Sequence, residues 1–172
     1  DRRIEKGRRF LMGVFNFYGL IAVVTILFPN LMWAISKKGE FTEYYNNKLV
    51  SVLEQIGRFG CFITMIVNIP YTYFGYFFEY GNLVYLFFSG IVVCVYLIGW
   101  IAKGEKEGVG YALWLSVAPS VLFLVDGILI LSIPLIVFAV IFAPCHILIS
   151  YKNAYAEAKK HLLADKKNKK ND

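Results

Sequence analysis

Glu54, Arg58, Cys61, Met65, Asn68 and Thr72 follow one another at intervals of four, three, four, three and four residues. On a helix turning by about 100° per residue they share a face ~80° wide. Their neighbours are almost all apolar, so the pattern is a polar stripe on an otherwise apolar helix. Glu54 and Arg58 also stand four residues apart in the order that favours an ion pair. An ionisable side chain at membrane depth costs about 2.5–3.5 kcal/mol at a helix centre, and such groups mark solute or ion sites by default. Two readings stand side by side. The pair could extend to the interface and simply neutralise itself there, or it could line a site that binds a small solute or ion.

A second set sits near the end of the chain. Ser132, Ala139, Ala143, His146 and Ser150 recur at intervals of seven, four, three and four. Small residues let two helices approach closely, and the polar ones can bond across the contact. Pro134 and Pro144 free carbonyls on the same segment and are expected to bend it. At a 1.5 Å rise, Glu54 lies roughly 9 Å beyond Lys48 and His146 about 7 Å inside Tyr151. Asn30, next to Pro29, falls at a similar level. The candidate ligand- or ion-binding residues are therefore Asn30, Glu54, Arg58, Asn68 and His146. Asp126, followed by Gly127, reads as the cap of a turn.

Little here could perform catalysis. The two histidines are His146 and His161, the latter in a lysine-rich tail. Cys145 adjoins His146, but neighbours on a helix point about 100° apart and do not make a nucleophile–base pair. Cys61, Cys94 and Cys145 are widely spaced within apolar runs, which gives no metal-ligand set or disulfide framework. No phosphate loop or dinucleotide fingerprint is present. A non-enzymatic protein without metal or cofactor is expected.

These residues need elements to hold them, and the composition says which kind. The 172 residues are 58% hydrophobic, 17% charged and 17% aromatic, with a mean hydropathy of +0.57. Soluble domains average about 25% charged residues. A disordered chain, a coiled coil and an ordinary soluble domain are excluded, leaving a polytopic membrane protein. A spanning helix needs about 20 apolar residues. Five stretches qualify: Phe10 to Ile35, Leu49 to Phe78, Leu83 to Ala102, Val109 to Val125 and Ile128 to Ile149. The last two come from one 41-residue run divided at Asp126-Gly127, a turn signal. The first is too long for a signal-peptide core and has no small-residue cleavage site. The predicted fold is all-α, a polytopic integral membrane bundle of five transmembrane helices over residues 1–151. A basic cytoplasmic tail follows at 152–172, helical for a few turns.

With five spans, one side of the bundle carries twelve lysines and the other carries the five cations before Phe10. The positive-inside rule then puts the C-terminus in the cytoplasm of a cell-membrane protein. Five cations ahead of the first span resist translocation, and an even number of spans would place both basic ends together. Clusters of this kind beside apolar spans face anionic lipid, and no nucleic-acid motif accompanies them. In size the chain is similar to the small membrane-embedded substrate-binding subunits of bacterial vitamin transporters. Those typically have six spans and an Ala-x-x-x-Ala pattern in the first helix. Here the pattern falls at Ala139 and Ala143 of the last span, so the similarity is one of size and carries no residues over. The expected partners are the lipid bilayer, a small solute or ion, and a membrane-protein partner or second copy, but no nucleic acid. The function expected is binding or transport of that solute. The alternative is a non-catalytic subunit or regulator that docks a partner or anionic lipid.

Overall fold

A computed structural model describes residues 13–36, 44–76, 78–103 and 108–168. Five helices account for most of them: α1 (Phe17–Ser36), α2 (Lys48–Ile66), α3 (Gly81–Lys103), α4 (Val109–Leu129) and α5 (Ile133–Asn168). All five contain a segment long and apolar enough to cross a membrane. Among the described residues no strand forms; two isolated bridges, Phe15 with Val67 and Tyr73 with Ser132, tie connections together. The cations before Phe10 and those at Lys37, Lys38, Lys106, Lys169 and Lys170 lie outside the described residues.

The helices form a closed ring in which α1 packs on α2, α2 on α5, α5 on α4, α4 on α3, and α3 on α1. The start of α1 is fixed beside the end of α2, because Asn16 N donates to Ile66 O and Asn68 N to Val14 O, both at 2.7 Å. The 72–74 segment meets the α4–α5 turn through Phe74 N to Leu131 O (3.3 Å) and Ile133 N to Thr72 O (3.1 Å). These contacts define one end of the ring, rich in tyrosine. The other end is basic. There Asn153 Oδ1, on α5, accepts from the backbone of Tyr44 at 3.0 Å and Tyr45 at 2.8 Å.

Ala22, Val23 and Ile26 of α1, Cys61 and Met65 of α2, Tyr85 and Tyr96 of α3, Leu122 and Phe123 of α4, and Leu135, Ala139 and Phe142 of α5 fill the centre. Without a hydrophobic drive between helices in lipid, close packing has to supply cohesion. The α2–α5 contact shows how. A Cβ on Gly57 would stand 2.8 Å from the backbone of Phe142, and one on Gly60 2.3 Å from the Phe138 ring. Buried hydroxyls are satisfied within their own helices: Thr64 donates to Gly60 O at 2.7 Å and Ser120 to Ser116 O at 2.8 Å.

Two elements depart from the sequence-based expectation. The second span does not run to Phe78. It ends at Ile66, and its cap Val67 is extended. Pro70 disfavours helix at Ile69 and offers no N–H, and Tyr71 takes a φ of 67°. Thr72 is thus off the helix that carries Glu54. Asp126-Gly127 is not a turn. Helix α4 continues through both residues to Leu129, and the reversal falls at Ile130–Ser132, with Leu131 at φ 48°. Ending at Val125 would give 17 residues, about 26 Å, short of a ~30 Å core; 21 residues reach about 32 Å. Pro134 is tolerated because it lies in the first turn of α5. Helix α5 passes residue 151 without a break and extends to Asn168, so the tail is helical for a few turns, as its spacing implies.

Candidate functional site

Asn47 starts α2 by accepting from Leu49 N (3.1 Å) and Val50 N (3.3 Å), satisfying two of the donors a helix start leaves open. Two turns on from Asn47, Glu54 points into the bundle. Its Oε1 accepts from Arg58 Nε at 3.0 Å and also from Arg58 Nη2. From α5, His146 Nδ1 approaches the same oxygen at 2.9 Å. A carboxylate accepts only, so Nδ1 carries the hydrogen and Nε2 is left to accept or, when the ring is charged, to donate. Three donors from two helices converge on one oxygen. The His146 ring is fixed by stacking on Phe142, with centroids 4.6 Å apart and planes 20° apart.

Exposure is graded across the cluster. The Glu54 side chain is 3% exposed, His146 21% and Arg58 36%. The negative member is shut in and the two basic members reach the surface. Glu54 is the seventh residue of α2, about 9 Å along the helix from its basic end. Gly57 lies one turn deeper and lets Phe142 in, which brings His146, one turn along α5, onto Glu54.

The other sequence candidates have different partners. Asn30 sits beside Pro29 in α1 and donates to the Tyr96 hydroxyl of α3 at 2.7 Å and to Ile26 O at 2.9 Å. It joins α1 to α3 rather than entering the Glu54 cluster. Asn68 lies just past α2 at the tyrosine-rich end. Its Nδ2 donates to Gly13 O at 3.0 Å, while its Oδ1 is buried without a hydrogen-bond partner. Met65 and Cys61 are buried core residues.

A second polar cluster escaped the sequence reading. Asp126, assigned there to an outer turn, is fully buried inside α4. Ser89 Oγ of α3 lies 2.9 Å from its Oδ1 and 2.8 Å from its Oδ2. One turn before Ser89, the Tyr85 hydroxyl accepts from Asn16 Nδ2 at 3.0 Å, and Asn16 Oδ1 caps α1 at Gly19 N, also at 3.0 Å. The available signal was Asp126's place in the 41-residue apolar run, where a continued helix would bury it.

Between the two clusters the core is aromatic. Phe62 meets Phe123 at 5.8 Å between centroids, Phe123 meets Phe142 at 5.7 Å, and Phe142 carries His146. Among the described residues no group of three or more His, Cys, Asp or Glu side chains could hold a metal ion. Comparison of the chain with models of protein families, with curated proteins and with solved structures found no match.

Proposed function

We propose that this protein is a non-enzymatic membrane protein that binds a small anion at Glu54, Arg58 and His146, as the binding step of solute transport. The observation that carries the reading is a buried carboxylate clamped by Arg58 and by His146 from a different helix, with both basic groups partly exposed. Glu54 balances Arg58, so the cluster is neutral with a neutral imidazole and carries one positive charge when His146 is protonated. Arg58 spends Nε and one face of Nη2 on Glu54 and keeps further N–H donors in a planar fork suited to a carboxylate or phosphate. A proton on His146 and an anion at Arg58 would then favour each other.

The same reading places the chain in the cell membrane with the basic end, and so the C-terminus, in the cytoplasm. The asymmetry of lysine and arginine supports that side. The partners are bilayer lipid and the anion, with a second copy or another membrane protein against the lipid-facing helices. One feature favours the regulatory alternative: α5 continues well beyond its apolar part as a lysine-bearing helix, a form that suits anionic lipid or an acidic partner.

Thermal unfolding in nanodiscs of zwitterionic lipid tests the binding reading, with inorganic phosphate or acetate added at constant ionic strength. A ligand of the folded state stabilises by about 2.7 kcal/mol at a hundredfold excess over Kd. Wild type should gain stability with a saturating dependence, and Glu54→Gln combined with Arg58→Met should not. Equal dependence in both proteins, or none in wild type, would remove the anion reading.

A further inference from the structure

We propose that Asp126 is a proton-binding site, holding an exchangeable proton that it donates to Ser89. Ser89 Oγ has one hydrogen and three acceptor oxygens within reach: Tyr85 O at 2.7 Å, Asp126 Oδ1 at 2.9 Å and Asp126 Oδ2 at 2.8 Å. Its shortest contact is the bond back to the carbonyl four residues earlier, the usual arrangement of a serine within a helix. With the hydroxyl hydrogen spent there, Ser89 Oγ can only accept from Asp126. A carboxylate has nothing to donate, whereas a carboxylic acid donates one O–H. The chain then closes as Asp126 Oδ–H to Ser89 Oγ, and Ser89 Oγ–H to Tyr85 O.

The surroundings agree. Asp126 is completely buried, and an isolated charge so placed takes up a proton in preference to staying ionised. No lysine, arginine or histidine among the described residues pairs with it. From α3 the titratable group facing it is Tyr85, whose ring lies 6.2 Å from that of Tyr76 in the connection before α3. On α5 the residues packed on the adjacent Gly127 are the apolar Leu135 and Ile136. From α2, Phe62 packs on Phe123, one turn away. Nothing in this shell supplies a positive charge, and Asp126 lies about 5 Å from the end of α4 that faces the tyrosine-rich connections. The site is independent of Glu54, which lies toward the opposite end behind the Phe123–Phe142 contact.

Infrared spectroscopy of the full chain in nanodiscs, labelled with 13C-aspartate, tests this. Asp126 is the one aspartate inside a span; the others are Asp1, Asp165 and Asp172. A protonated C=O band should appear at neutral pH, shift in D2O, and vanish in Asp126→Asn. In Ser89→Ala the band should move to higher frequency as its acceptor is lost, a readout that serves even if Asp126→Asn fails to fold. Carboxylate bands alone at neutral pH would overturn the proposal. So would a protonated band present in choline chloride and abolished by sodium chloride, which would make the ligand a monovalent cation.

Discussion

Glu54 shows how much one residue's meaning depends on its company. Removing one partner from a fully buried ion pair leaves a lone charge and costs about 3–5 kcal/mol, an upper bound here because Arg58 reaches the surface, while exchanging both for apolar groups can be neutral or stabilising. Glu54→Gln should therefore destabilise the bundle more than Glu54→Gln with Arg58→Met. Thermal unfolding of both single variants and the double in one detergent checks this. If the pair were merely interfacial, all three shifts would be similar and within about 1 kcal/mol. The sequence exposed this pair because helical spacing alone aligns positions 54 and 58. It also gave the depth of His146. It could not rank partners: Asn30 has a level similar to Glu54, yet Tyr96 claims its amide. Depth is one coordinate, and the angle of each helix about its axis is set by packing.

At the scale of the helix, the α2–α5 contact decides whether the site exists. Gly57 faces the backbone of Phe142, which cannot step aside, and Gly60 faces the root of the Phe138 ring, whose Cγ stays at 2.3 Å however the ring turns. Alanine favours helix over glycine by about 1 kcal/mol, and overpacking costs about 1–3 kcal/mol. Gly57→Ala and Gly60→Ala should both lose stability, as denaturant unfolding would report, and Gly57→Ala, next to the Phe142 backbone one turn before His146, should also draw His146 away from Glu54. Neither glycine stood out in the sequence, because the polar stripe drew its line through Arg58 instead. Helix ends were harder still. An Asp-Gly pair signals a turn in water, where the freed backbone finds solvent. In a bilayer the helical ladder must continue until the core is crossed. That requirement carried α4 past Asp126 and turned an assumed loop carboxyl into a buried one. For α2 the opposite held: Ile69-Pro70 ended a run that hydropathy alone would have extended.

Across the whole molecule, the ring order puts the Glu54 cluster toward the basic end and the Asp126 cluster toward the tyrosine-rich end, with the aromatic core between them. With five spans these ends face opposite sides of the membrane. Single cysteines introduced as Tyr71→Cys and Lys160→Cys, with Cys61, Cys94 and Cys145 changed to Ala, should label from opposite sides, Tyr71→Cys from outside the cell. Five apolar helices were legible in composition and run length, since hydrophobic length is a property of the chain itself. The approach of α5 to α2 was legible in the small-residue face that carries His146 and is met by its contact with Glu54; the rest of the ring order was not, because hydrophobic length says nothing of which helices adjoin. The central claim is that α2 and α5 bring a carboxylate and an imidazole together to hold an anion. Nitrogen-15 NMR of labelled histidine tests it most directly, in a His161→Gln background where His146 is the one remaining histidine. The account predicts an Nδ1–H signal shifted by its carboxylate bond, altered in Glu54→Gln, and moved further and saturably by inorganic phosphate. A His146 signal indifferent to both Glu54→Gln and phosphate would contradict it.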